Sequence, residues 1–128
     1  MKLLLDTHTV LWFWSDDPKL SVTARNLITS PTNQKFVSLA TPWEVAIKLS
    51  LKKITVSVPI DEFFPKNMVR NQFSWLRMTI KHFLAVSQMP LHHRDPFDRM
   101  LIAQSLSENM PIVSADTAFD AYPVLRLW

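Results

Sequence analysis

Asp6, Glu44, Asp98 and Asp116 share one placement along the chain, each beside an apolar run that reads as a buried strand or beside a helix start. Asp6 directly follows Leu3-Leu4-Leu5, and Asp116 closely follows Ile112-Val113. Glu44 comes just after Phe36–Leu39, and Asp98 opens the helix that feeds the Ile112 strand. In a parallel α/β sheet, ligands bind beyond the carboxyl ends of the strands, so all four carboxylates are expected on one edge. Carboxylates ~4–5 Å apart at an effective dielectric near 20 repel by about 3–4 kcal/mol per pair. Several in one pocket resist ionisation unless a cation neutralises them. Hard ions such as Mg²⁺ and Mn²⁺ prefer such oxygen donors. The expected chemistry is hydrolysis of a phosphodiester by in-line attack of water, with no residue acting as nucleophile. Asp98 and Asp116 are expected to act through water.

Each acid also has a plain structural use. Asp6 and Asp116 can be N-caps, Glu44 and Asp98 can complete capping boxes, and Glu44 with Lys48 makes an i,i+4 pair. The combination, rather than any one of them, carries the functional reading.

The elements that must position these acids follow from the same sequence. Lys2–Leu5 is unbroken and apolar, as a strand buried on both faces of a parallel sheet must be. His8–Trp14 reads as a short helix, Asp16-Asp17-Pro18 as a turn, and Ser21 caps a helix to about Thr29. A strand over Lys35–Leu39 precedes Thr41-Pro42-Trp43-Glu44, read as N-cap, N1 and a capping box for a helix to about Leu49. Lys52–Val58 is expected to be extended, and Asp61–Asn71 helical with a kink or break at Pro65. Phe73–Met78 is the third strand, and Thr79 caps a helix over Ile80–Ser87. Asp95 as N-cap, Pro96 as N1 and Asp98 as N3 open the helix that ends near Asn109. Pro111–Ser114 and Val124–Leu127 are the last strands, with a helical turn at Thr117–Ala121. Strands alternating with helices make this one α/β domain with a mostly parallel sheet, spanning residues 1–128.

Composition removes competing classes. The 128 residues hold 48% hydrophobic and 20% charged side chains, enough for one substantial core. There is no cysteine, which excludes disulfides, thiolate metal sites and cysteine nucleophiles. With no paired-histidine helix motif either, zinc is disfavoured. Glycine is also absent, so no P-loop or dinucleotide fingerprint exists, and the nine prolines are left to punctuate the chain. The opening apolar run is too short for a signal peptide or a membrane span, so a soluble, cytoplasmic protein without membrane contact is expected. Net charge is +3 with a pI near 9.5, a mild preference for polyanions.

At the acids themselves the chain resembles PIN-domain proteins of the VapC toxin type, nearly end to end. Lys2-Leu3-Leu4-Leu5-Asp6-Thr7-His8 resembles that family's first strand and first acid, and Pro42-Trp43-Glu44-Val45-Ala46-Ile47-Lys48 its second acidic motif. His92-His93-Arg94-Asp95-Pro96-Phe97-Asp98-Arg99, running into Leu101-Ile102-Ala103-Gln104, is the most specific match. Ile112-Val113-Ser114-Ala115-Asp116 resembles the closing motif, with Ser114 where many relatives have Thr. The resemblance implies a three-layer α/β/α sandwich with about five strands and Mg²⁺- or Mn²⁺-dependent endoribonuclease activity. It also implies a homodimer, inhibition by a cognate antitoxin, and the family's four acids at Asp6, Glu44, Asp98 and Asp116. A non-catalytic RNA- or protein-binding module that keeps the fold is the alternative.

Around this set, Thr7, Arg99 and Ser114 are candidates for contacts to substrate or to the acids. Arg99 could meet an RNA phosphate or pair with an acid, and Lys48, Lys52 and Lys53 could form a basic rim. His8, His92, His93 and Asp95 have open roles, Asp95 being read chiefly as an N-cap. Trp12, Phe13 and Trp14 crowd one short helix, so part of that surface could serve a partner, as could Phe63, Phe64 and Met68.

Overall fold

Leu3, Leu4 and Leu5 are all fully buried, and they point alternately to opposite faces of one sheet. The computed structural model describes residues 1–128. Five strands run in the order β3-β2-β1-β4-β5, every pairing parallel: β1 (Lys2–Leu5), β2 (Gln34–Ser38), β3 (Ser74–Leu76), β4 (Ile112–Val113) and β5 (Arg126–Leu127). The sheet is thus wholly parallel, where a mostly parallel one was expected.

Leu3 and Leu5 pack with Val37 and Val113 against Val10 of α1 (Thr7–Trp14), Ala24 and Ile28 of α2 (Val22–Thr29), and Met68 of α4 (Ile60–Arg70). On the other face Leu4 and Ile112 meet Leu101 and Ile102 of α6 (Pro96–Glu108), with Phe119 and Tyr122. Helices therefore cover both faces. α3 (Ala40–Ser50) follows β2, and α5 (Ile80–Gln88) lies along α6. The α5–α6 contact is pinned by His82, which is fully buried. Its Nδ1 accepts from the Thr79 N–H at 3.1 Å, so Nε2 carries the proton and donates to Glu108 at 2.7 Å.

Several local expectations are corrected. α3 begins at Ala40, with Leu39 as N-cap and no side-chain cap bond. Thr41 is inside the helix because its hydroxyl faces Thr7 at 3.2 Å, while Ser38 Oγ accepts from the Ala40 N–H. Pro65 neither breaks nor ends α4, which runs unbroken to Arg70. Lys52 and Lys53 belong to the turn that ends α3 rather than to an extended segment, and the third and fifth strands shrink to three and two residues. Trp12, Phe13 and Trp14 are half-buried against the core. Phe13 and Trp14 pack on Phe73, and Trp14 also meets Phe63 and Phe64 edge-on. Most of that aromatic surface is spent inside the molecule.

Without glycine, punctuation does not fall to proline alone. Asp16, Lys52, Gln72 and Asn109 take left-handed φ values of 53°, 57°, 58° and 53° just past α1, α3, α4 and α6. At each, the following N–H reaches back five residues: Asp17 to Trp12, Lys53 to Lys48, Phe73 to Met68 and Met110 to Ser105. All four ends are Schellman motifs, which usually rely on glycine. A non-glycine side chain in that conformation costs roughly 1–2 kcal/mol, partly offset by glycine's greater freedom when unfolded. Lys52→Gly and Gln72→Gly should therefore each stabilise the protein by about 0.5–1 kcal/mol, read as a higher urea midpoint at unchanged slope. A lower midpoint for both would show that these side chains carry native contacts worth more than the strain.

Candidate active site

The strand order reverses direction beside β1, with β2 on one side and β4 on the other. A crevice opens at such a switch point in an open α/β sheet. The two acids that end these strands meet across it through one hydroxyl. Ser114 donates to Asp6 Oδ2 and accepts from the Asp116 N–H at 3.0 Å. Asp6 is buried and also caps α1, its Oδ1 accepting from the Thr9 N–H at 2.7 Å. Asp116 is exposed and caps the 3₁₀ helix Thr117–Ala121, its Oδ1 accepting from the Ala118 N–H at 2.9 Å.

Glu44 is buried on α3 and tied on both oxygens. Thr7 Oγ1 donates to Oε1 at 2.8 Å, and Lys48 Nζ approaches Oε2 at 2.8 Å. Because the Thr7 proton goes to Glu44, the Thr41 hydroxyl must donate to Thr7. Asp98 stands at the third position of α6, behind Pro96. Asp95 caps that helix, accepting from the N–H groups of Phe97 at 2.9 Å and Asp98 at 3.0 Å. No backbone or cationic lysine or arginine donor reaches the Asp98 carboxylate. Its neighbour is His93, whose Nε2 lies 3.0 Å from Oδ2. Ligand atoms of His93, Asp98 and Asp116 all fall within 4.8 Å of one another.

The electrostatics follow from this crowding. Burial above all, with the charges of Asp95, Glu44 and Asp6 and against the opposing pull of His93, raises Asp98 to about 7. Burial also raises Asp6, against the hydrogen bonds from Ser114 and Thr9. Asp98 thus senses Glu44 and Asp6 as well as touching the His93–Asp116 group. This donor set of carboxylate oxygens with one imidazole suits a hard or borderline divalent cation, whose charge would relieve the repulsion.

Arg99 does not contact any of the four acids. Its guanidinium donates to the carbonyls of Pro90, His93 and Val86 and to Tyr122 Oη, at 3.0 to 3.3 Å. Tyr122 Oη in turn accepts from the N–H groups of His92 and His93 and donates to the Pro90 carbonyl at 2.7 Å. The two side chains fix the loop that carries His93. Sequence reasoning left His93 open and gave Tyr122 no role; a tyrosine far along the chain offers no local signal of the loop it holds. The basic rim is smaller than its sequence cluster, since Lys48 is engaged by Glu44 while Lys52 and Lys53 are exposed.

The family model described as PIN domain matches residues 3–125. No curated protein sequence matches the chain. Among solved structures, VapBC2 from Rickettsia felis, bound to a DNA fragment from its promoter, is similar with a TM-score of 0.71 at 12% identity, covering 99% of this chain and 98% of that one. VapBC-1 from nontypeable Haemophilus influenzae gives 0.68 at 15% identity over 99% and 97%. FitAcB from Neisseria gonorrhoeae gives 0.66 at 13% identity over 98% and 96%.

A carboxyl raised by folding binds its proton more tightly in the native state. Its stabilising contribution is present below the unfolded value of 3.8 and lost as pH rises through about 7. Glu108 and Asp120 are lowered by His82 and Arg126 and act in the opposite sense, so wild type is best compared with Asp98→Asn. In chelator, the stability advantage of Asp98→Asn over wild type should grow between about pH 4 and 7 and then level off, as followed by urea denaturation. A difference independent of pH would show that Asp98 ionises normally.

Proposed function

The chain belongs to the PIN-domain family, and from that premise we propose that it is a metal-dependent endoribonuclease, the toxin of a toxin–antitoxin pair acting in the cytoplasm. The observation that carries the catalytic reading is the mutual crowding of Asp98 with Asp95, Glu44 and Asp6 beside Asp116, at the switch point of a parallel sheet. A pure binding module has no use for a pocket of carboxylates that repel one another. Asp6, Glu44, Asp98 and Asp116 would hold Mg²⁺ or Mn²⁺. Such an ion supplies charge neutralisation, polarisation of a phosphate and a water acidic enough to attack near neutral pH.

The chain's own residues prepare that site. Ser114 and the Thr9 N–H orient Asp6, and Thr7 with Lys48 orients Glu44. Capping by Asp95 fixes the start of α6, and with it Asp98. Exposed Lys52 and Lys53 past the end of α3 provide positive charge for the RNA backbone.

A partner is supported independently of catalysis. Trp43, Phe83 and Leu91 are exposed apolar side chains lining a cleft of about 490 Å³ with Phe97 and Arg94. Exposed apolar patches are places where proteins meet partners, which supports an antitoxin segment or a second copy in a homodimer as the occupant. The similar solved structures VapBC2 and VapBC-1 support the same reading through the resemblance to VapC-type toxins. No helix is long and apolar enough to cross a membrane.

Purified protein with Mg²⁺ or Mn²⁺ should cut total RNA into discrete fragments. Cleavage should vanish with EDTA and fall by at least about a hundredfold in Asp6→Asn and Asp98→Asn. Binding of RNA or peptide without cleavage under any metal would favour the binding-module reading. Equal cleavage by wild type and both variants would remove the assigned acids from the chemistry.

A further inference from the structure

We infer that His93 is a direct ligand of the metal site, completing a set of two carboxylates and one imidazole with Asp98 and Asp116. The inference rests on the metal-dependent reading above and names the donor that decides which ion the site selects.

Three observations converge on His93. Its Nε2 is shielded from solvent and makes no hydrogen bond, although Asp98 Oδ2 is only 3.0 Å away. The approach has the length of a hydrogen bond without its direction, and a buried polar atom left unmade is costly. Two ligands at right angles around an ion, each about 2.1 Å from it, are themselves separated by about 3 Å. The 3.0 Å spacing, which is also that of an ion pair, fits two neighbouring ligands, and an Asp116 oxygen completes the group within 4.8 Å.

The ring is also held ready. The His93 N–H donates to Tyr122 Oη at 3.0 Å, its carbonyl accepts from Arg99 at 3.3 Å, and its imidazole packs edge-on against Phe119. Arg99 makes three further bonds around the same loop. Ligands fixed this way lose little freedom on binding. Asp6 and Glu44 differ in that each of their oxygens accepts from one protein donor, which orients it and leaves a second lone pair for the ion. His93 Nε2 has no such donor or acceptor bond within the protein.

A nitrogen donor changes the selectivity. Mg²⁺ favours an all-oxygen shell with retained waters, whereas imidazole raises affinity for borderline ions such as Mn²⁺. The site should therefore prefer Mn²⁺ over Mg²⁺ through His93, while the carboxylates supply most of the charge.

Pulsed electron paramagnetic resonance of Mn²⁺ bound to the purified full chain should show ¹⁴N coupling from a coordinated imidazole. That coupling should disappear in His93→Gln and persist in His8→Gln and His92→Gln. By calorimetry, His93→Gln should weaken Mn²⁺ binding by at least about tenfold, as loss of even an outer partner costs 10–100-fold, with Mg²⁺ affected less. Circular dichroism establishes that the variants are folded, and the wild-type spectrum depends on no variant. Mn²⁺ bound without nitrogen coupling, or coupling that survives His93→Gln, would overturn the role of His93 and leave the carboxylate site standing. Failure of wild type to bind Mn²⁺ at all would overturn both.

Discussion

Repulsion among carboxylates at the carboxyl edge of the sheet is the constraint around which this molecule is arranged. Asp98 lies close enough to Asp95, Glu44 and Asp6 for each of their charges to oppose its own, and burial adds to the penalty. The scaffold holds the acids together all the same, by giving most of them a donor of their own. Ser114 and the Thr9 N–H serve Asp6, Thr7 and Lys48 serve Glu44, and the Ala118 N–H serves Asp116. Asp98 has only His93 beside it, and it is the acid whose titration is shifted to about 7. The apoprotein therefore stores unfavourable electrostatics at the place where a cation would relieve them.

Much of that arrangement costs the fold nothing extra, because capping and site-building use the same residues. Asp6 and Asp116 each begin a helical segment, and Asp95 begins the one that presents Asp98. Helix N-termini offer unsatisfied N–H groups and a partial positive charge, which steady a carboxylate in water-poor surroundings. Structural and functional readings of these acids are accordingly both true. Away from the acids, Arg99 and Tyr122 do comparable work for the histidine loop, tying five backbone groups together without touching a carboxylate.

The fold was readable where the pattern is strong. Leu3-Leu4-Leu5 reads as a strand covered on both faces and Asp95-Pro96 as a helix start, and both form as read. Reading failed where tertiary contacts outbid local signals. Thr41-Pro42-Trp43-Glu44 has the form of a capping box, yet Thr41 and Glu44 are drawn to Thr7, thirty-odd residues earlier, and the helix starts before them. Pro65 was an apparent breaker, but the helix carries through it with Phe64 and Met68 buried on one side. The four acids could be expected on one edge from their positions at strand ends and helix starts, once the sheet is taken as parallel. The closeness of His93 to Asp98 could not, since it depends on a loop held by Tyr122, 29 residues further on. Likewise, a chain without glycine gives no warning that four helices end in left-handed residues.

The central claim is that a divalent ion replaces protons on an acid cluster that folding has made reluctant to ionise. Calorimetric titration of Mn²⁺ near pH 6, repeated in buffers of different ionisation enthalpy, counts the protons released on binding. With Asp98 shifted to about 7 and Asp6 raised, binding should release protons at pH 6, and the release should decline as pH rises well past 7. Mn²⁺ binding with no proton release at pH 6 would contradict the account, for the carboxylates would then already be ionised and the repulsion too weak to call for an ion.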